Sequence, residues 1–138
     1  MEEIGWSFSV IYESRHIFIE QENAAIPWLK IFSKTPHKEF SECCEATRQE
    51  LLFALDVVEK TMLEYYKPTK INIASFGNYV QRVHWHIMAR FETDSHFPES
   101  MWGVKQRDGV LNLPPFEPFA KMLLEKLPCV LDPETSSG

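Results

Sequence analysis

The segment spanning residues 83–88, Val-His-Trp-His-Ile-Met, constrains the fold of this chain more than any other. Apart from two histidines its residues are β-branched, aromatic or apolar, and a turn signal precedes it at residues 77–78, so we predict a strand. Side chains alternate across a strand, which puts Arg82, His84 and His86 on one face and their apolar neighbours against a core. Two titratable rings beside a guanidinium are well suited to binding and attacking a phosphate.

Composition excludes several classes of protein. A chain of 138 residues fits one domain, with a predicted core over residues 6–127 and a flexible tail over residues 128–138. The net charge of -6 argues against non-specific nucleic-acid binding, which requires a basic surface. Cys43 and Cys44 are adjacent and the cysteine count is odd, which argues against a disulfide framework. A location in the reducing cytoplasm is therefore expected. No membrane-spanning run or signal peptide is visible, so no membrane partner is expected.

Hydrophobic periodicity predicts a sheet with two helices. The strands are predicted over residues 6–12, 16–20, 28–32, 70–76 and 83–90. A long helix is predicted over residues 41–66, with Ser41 as its N-cap and Lys67-Pro68 at its end. A shorter helix is predicted over residues 115–127.

Residues 72–90 resemble the histidine triad (HIT) family, whose signature is His-φ-His-φ-His-φ-φ, with φ apolar. The three histidine positions are occupied here by Arg82, His84 and His86. Further similarity to bacterial single-domain members lies in Pro27-Trp28-Leu29, Gly77-Asn78, Phe97-Pro98 and Trp102-Gly103. The resemblance implies an α+β fold, an antiparallel sheet of about five strands with one long and one short helix. It also implies a homodimer.

The same resemblance implies a nucleotide hydrolase or nucleotidyl transferase that uses no metal or other cofactor. His84 would attack the α-phosphate of an adenosine-type nucleotide and form a covalent nucleotidyl-histidine, since neutral imidazole is a competent nucleophile. His86 would bind the phosphate oxygens and stabilise developing charge. The other substrate-binding positions implied by the family are Arg82, Asn78, Gly77, Asn72 and, near the ribose hydroxyls, Glu20.

Two departures from the family pattern leave alternatives open. Arg82 replaces the first signature histidine, and Trp28 stands where many members have a histidine on the third strand. Arg82 carries a permanent charge and can bind phosphate in a bidentate manner, so binding is expected to survive. The hydrogen bonds that orient the nucleophile differ, however, so a nucleotide-binding sensor with weak or no turnover is the first alternative.

A metal-binding protein is the second alternative, because His-x-His on a strand is also a common metal-ligand pattern. A third ligand is then required, and Glu92 and His96 are the nearest candidates. Trp102 also has two interpretations, as a core residue or as a residue that approaches the partner subunit's site. The sequence does not identify the base, the leaving group or the physiological substrate.

Overall fold

The computed structural model describes residues 9–128, which contain five strands and two α-helices. In chain order they are β1 (Val10–Glu13), β2 (Ile17–Gln21), β3 (Trp28–Ser33), α1 (Glu45–Tyr66), β4 (Lys70–Ala74), β5 (His84–Arg90) and α2 (Phe116–Lys126). The five strands form an antiparallel sheet in the order β1-β2-β3-β5-β4. The predicted α+β fold is therefore confirmed. The start of the predicted first strand, at residues 6–8, and the tail beyond residue 128 lie outside the described residues.

One face of the sheet packs against α1, and α2 packs against α1. The apolar side chains on this face come from every second residue of each strand, because successive side chains of a strand point to opposite faces. With the helices they form one buried cluster that includes Ile17, Ile19, Leu29, Ile31, Ile87, Leu51, Val58, Met62, Phe119 and Leu123. Val83 and Ile87 are buried and Trp85 packs against this cluster, so the predicted core face of β5 is confirmed.

The register of the central strands shows which side chains lie next to each other on the opposite face of the sheet. Residues directly opposite each other in an antiparallel pair share a face of the sheet. Two such rows cross β2, β3 and β5, namely Phe18–Phe32–His84 and Glu20–Lys30–His86. The two histidines therefore lie on a floor built from three neighbouring strands.

The start of the long helix differs from the prediction. A short 3-10 helix, Phe40–Glu42, precedes α1, and the N-cap of α1 is Cys44. The predicted start at residue 41, with Ser41 as N-cap, is therefore wrong. The cause is a capping box, in which the Glu42 carboxylate accepts a hydrogen bond from the backbone N–H of Glu39 (3.1 Å) and closes this turn separately.

A buried ion pair fixes the chain that follows β5. Arg90 and Asp94 are each 1% exposed, and Nε of Arg90 donates to Oδ2 of Asp94 at 2.9 Å. Arg90 also donates to the backbone oxygen of Glu99 (2.8 Å) and to Oδ1 of Asn72 (2.8 Å). This network ties the segment that carries Trp102 to the sheet.

A helix that spans a membrane needs about 20 consecutive, predominantly apolar residues. Neither α1 nor α2 combines the necessary length with sufficient apolarity.

Candidate functional site

A cavity of about 580 Å³ lies on the face of the sheet that carries the two histidines. This volume is within the range of small-molecule sites. Of the seven residues predicted for the site, six line the cavity: Glu20, Gly77, Asn78, Arg82, His84 and His86. The seventh, Asn72, shares the face but accepts the hydrogen bond from Arg90, and its part in binding stays a prediction.

His84 is held in one tautomer by the backbone. Its Nδ1 lies 2.7 Å from the carbonyl oxygen of Arg82. A carbonyl oxygen only accepts, so Nδ1 carries the proton and Nε2 keeps its lone pair. The ring is 8% exposed and stacks on Phe32, with ring centroids 4.9 Å apart. His84 therefore presents the form of imidazole that can act as a nucleophile.

His86 is held in the complementary tautomer by Trp28. The indole Nε1–H of Trp28 donates to Nδ1 of His86 at 3.0 Å, which leaves the proton of the neutral ring on Nε2. Burial, followed by His84 and Lys30, lowers the pKa of His86 to about 4. The ring centroids of His84 and His86 are 5.0 Å apart. A neutral ring that can donate a hydrogen bond thus lies next to the His84 ring.

We expect His86 to remain neutral down to about pH 4. The ordinary histidine pKa is 6.5, so between pH 6.5 and about 4 the unfolded chain binds a proton that the native ring does not. His86 therefore makes the protein less stable as the pH falls through this window. An NMR titration of the ring measures this pKa, and a value near 6.5 contradicts the expectation.

The same titration has an informative variant and a matched control. Lys30→Met removes a positive charge that lowers the His86 pKa, so we expect the pKa to rise in this variant. Lys121 lies exposed on α2, so Lys121→Met should leave the His86 pKa unchanged.

Lys30 and Glu22 are cavity residues that the sequence analysis did not identify. Nζ of Lys30 lies 2.9 Å from a Glu22 carboxylate oxygen and 3.7 Å from one of Glu20. With Glu20 they form a charged group at the end of the floor next to His86. Strand alternation already puts Lys30 on the same face as Trp28, and this signal could have identified it.

The turn between β4 and β5 forms one wall. Gly77 has φ of 73°, in the left-handed region that glycine adopts without strain. Asn78 is exposed beside it, and the turn also contributes Phe76 and Tyr79 to the lining. Ser75 donates its hydroxyl to the carbonyl oxygen of His84 at 2.6 Å, which anchors this wall to β5.

Trp102 lines the cavity of its own chain. Its ring is 48% exposed and lies edge-on to His86 (centroids 4.9 Å apart), Trp28 (5.4 Å) and Phe76 (4.8 Å). The interpretation of Trp102 as a core residue is therefore wrong, and the interpretation that it approaches a partner subunit's site stays a prediction. Arg90, which donates to the backbone oxygen of Glu99, connects the segment that carries Trp102 to the sheet.

The proposed third metal ligands do not join the histidines. Within residues 9–128, no group of three or more His, Cys, Asp or Glu side chains is arranged to hold a metal ion. His96 is hydrogen-bonded to Ser95 (Nδ1 to Oγ, 2.7 Å). Neither His96 nor Glu92 lines the cavity. The metal alternative gains no support from this geometry.

Comparisons with known proteins agree with the geometry. The family model of the HIT domain matches residues 7–93. Similar solved structures include histidine triad proteins from Bradyrhizobium japonicum (25% identity, TM-score 0.70, covering 88% of this chain and 93% of that chain) and Sinorhizobium meliloti 1021 (25%, 0.69, 90% and 94%). A third, from Marinobacter aquaeolei VT8, is 22% identical (TM-score 0.64, covering 89% and 96%). No curated protein matches the chain.

Proposed function

The chain belongs to the histidine triad (HIT) family, and we propose that it is a nucleotide hydrolase or nucleotidyl transferase with His84 as its nucleophile. Membership of the family implies nucleotide-binding hydrolase or transferase chemistry in general. The observation that supports the specific proposal is the pair of opposite tautomers. His84 keeps a free ring lone pair, while the neighbouring ring of His86 keeps an N–H. One ring can attack phosphorus while the other binds a phosphate oxygen.

The proposed reaction has two steps at the α-phosphorus. In the first, Nε2 of His84 bonds to phosphorus, and the bond from phosphorus to the leaving group breaks with its electron pair on that group. In the second, water bonds to phosphorus, the bond to His84 breaks, and a nucleoside monophosphate and a proton are released. Another acceptor in place of water gives nucleotidyl transfer. The N–H of His86 stabilises charge on the phosphate oxygens in both steps.

The remaining cavity residues suit the other parts of a nucleotide. Glu20 is proposed to accept hydrogen bonds from the ribose hydroxyls, which a carboxylate can do. Gly77 and Asn78 are proposed to bring backbone and amide donors to the phosphate. The aromatic side chains of Phe18 and Trp102, both in the lining, offer planar surfaces for an adenine-type base.

A substrate panel tests this proposal. Purified protein is incubated with adenosine phosphoramidates, dinucleoside polyphosphates and simple adenosine nucleotides, and nucleoside monophosphate is measured by chromatography. We expect its release from at least one compound, with His16→Ala, a histidine outside the cavity, as active as wild type. Tight binding without release supports the sensor alternative. If the protein shows no binding and no release, the nucleotide function is contradicted.

Metal independence follows from the proposed nucleophile. A bound transition metal occupies the lone pair that His84 needs for attack. We therefore expect that chelators leave activity unchanged and that excess zinc inhibits it. Elemental analysis and an assay with and without chelator measure this. Activity that disappears with chelator and returns with zinc supports the metal alternative instead.

A homodimer is proposed from the edge of the sheet. Among the described strands, β4 pairs only with β5, so its other edge is unpaired, and Ile73 on it is 42% exposed. An unpaired edge invites pairing with a second chain. Light scattering at micromolar concentration should give a dimer mass that Ile73→Lys reduces. A monomer mass for wild type rejects the proposal.

The proposed partners are thus a small-molecule nucleotide and a second copy of the chain. The net charge of -6 gives no reason to add a nucleic acid. A cytoplasmic location is proposed from the cysteines, since the two described ones, Cys43 and Cys44, are free thiols.

A further inference from the structure

We infer that Arg82, which replaces the first signature histidine, positions the His84 nucleophile and does not bind phosphate as a bidentate ligand. The inference rests on the proposed role of His84. Three sets of contacts made by the backbone and side chain of Arg82 support it. The few guanidinium N–H groups that these contacts leave unused argue against a bidentate phosphate contact.

The first contact sets the tautomer of His84. The carbonyl oxygen of Arg82 accepts the Nδ1–H of His84 at 2.7 Å. If this carbonyl turns away, Nδ1–H loses its acceptor, and the proton can move to Nε2, which removes the lone pair needed for attack. The orientation of the Arg82 backbone therefore decides whether His84 is nucleophilic.

The second set of contacts fixes that backbone. The Arg82 side chain reaches the end of β3, where Nη2 donates to the carbonyl oxygens of Ser33 (2.7 Å) and Lys34 (3.0 Å). Ser33 is fully buried, so this anchor point is shielded from competing water. The guanidinium thus joins the segment that leads into β5 to the end of the neighbouring strand β3.

The third set of contacts fixes the plane of the His84 ring. Phe18 stacks on Phe32 (centroids 4.8 Å apart, 5° between planes), and Phe32 stacks on His84 (4.9 Å, 17°). The guanidinium carbon of Arg82 lies 5.4 Å from the Phe18 centroid and 5.6 Å from that of Phe32. These are cation–π distances, so Arg82 holds the column of rings that ends on His84.

The same contacts leave no bidentate edge for a phosphate. A bidentate contact uses two neighbouring nitrogens of the guanidinium. Nη2 has two protons, and both are directed to carbonyl oxygens. Nε is buried and has no hydrogen-bond partner within the described residues, so it does not face the cavity. In place of the predicted bidentate phosphate contact, the inference gives Arg82 a role that acts through His84.

The first test observes the tautomer directly and needs no nucleotide. Nitrogen-15 NMR of the histidine rings is recorded for wild type, Arg82→Met and the control Arg15→Met, which changes an exposed arginine outside the cavity. We expect His84 in wild type and in the control to be protonated on Nδ1 only. In Arg82→Met both tautomers should be populated, and a spectrum identical to wild type overturns the inference. Arg82→Lys is the substitute if the Met variant does not fold, with the same criterion.

The second test separates positioning from binding. With a substrate from the panel, Arg82→Met should lower kcat about 10- to 100-fold and change KM less than about threefold, since a misplaced nucleophile slows the chemical step. Added guanidinium ion should restore part of kcat in Arg82→Ala. A raised KM with unchanged kcat identifies Arg82 as a ligand contact and overturns the inference. If wild type processes no nucleotide, the proposed function fails, whereas the NMR result still decides the role of Arg82.

Discussion

Replacement of His84 by alanine is expected to lower turnover at least ~10³-fold, because the covalent route through a nucleotidyl-histidine is removed. The His84 ring contacts Phe32 and the Arg82 carbonyl but lies on the cavity side of the sheet, away from the helix-packed core. The fold and the nucleotide affinity should therefore remain near those of wild type. Steady-state kinetics and calorimetric binding of a nucleotide measure the two effects separately.

The control for this variant is His16→Ala. His16 bonds to Thr47 (Nδ1 to Oγ1, 3.3 Å) and does not line the cavity, so its loss should leave kcat and KM unchanged. Undiminished turnover in His84→Ala rules out this residue as the nucleophile. An equal loss in both variants would point to a general effect on the fold.

Replacement of Asp94 by alanine is expected to destabilise the protein by ~3–5 kcal/mol, the usual effect of leaving a buried charge without its partner. The Asp94 carboxylate accepts hydrogen bonds from two nitrogens of Arg90 and from the backbone N–H groups of Phe91, His96 and Phe97. Its loss leaves the charge of Arg90, which is 1% exposed, without a carboxylate partner. Chemical denaturation measures the change in the free energy of unfolding.

Asp56→Ala is the matched control for Asp94→Ala. Asp56 forms an exposed pair with Lys60 four residues along α1, and such pairs contribute ~0.3–0.5 kcal/mol. Similar losses of unfolding free energy in the two variants contradict the expected contribution of the buried Arg90–Asp94 pair. The Asp94 variant should also enlarge the cavity opening, because the segment that carries Trp102 loses its anchor.

The stability that Asp94 supplies has a defined pH window. Burial alone raises the pKa of this carboxyl, but the hydrogen bonds from Arg90 and three backbone N–H groups outweigh burial and lower it to about 2. The ordinary aspartate pKa is 3.8, so the contribution is complete above pH 3.8 and is lost as the pH falls toward 2.

The strands were predictable from the sequence because their signals are local. Alternation located β5 to within one residue, predicted over 83–90 and observed as His84–Arg90, and Pro27 marked the start of β3. The start of α1 was missed because a carboxylate at position 42 caps a separate turn. Helix periodicity continues through that turn and does not reveal the break.

The linear motif and the family resemblance predicted part of the site, including Glu20, which lies outside the motif. His84 and His86 follow from the signature, but the register that sets Lys30 opposite His86 requires β3 to be the neighbour of β5. The sequence presented Trp28 as the loss of a site histidine, whereas its indole N–H sets the tautomer of His86. Trp102 reaches the cavity from a loop after β5, where its ring contacts His86, and no strand or helix pattern in the sequence predicts how that loop folds.

The most direct test of the central claim is detection of the covalent intermediate. Wild-type protein is mixed with an adenosine phosphoramidate, quenched in alkali, where a phosphorus–nitrogen bond to histidine survives, and digested for mass spectrometry. We predict one nucleoside monophosphoryl group on His84 in wild type and none in His84→Ala. Turnover without any adduct, or an adduct on a residue other than His84, would contradict the role of His84 as nucleophile.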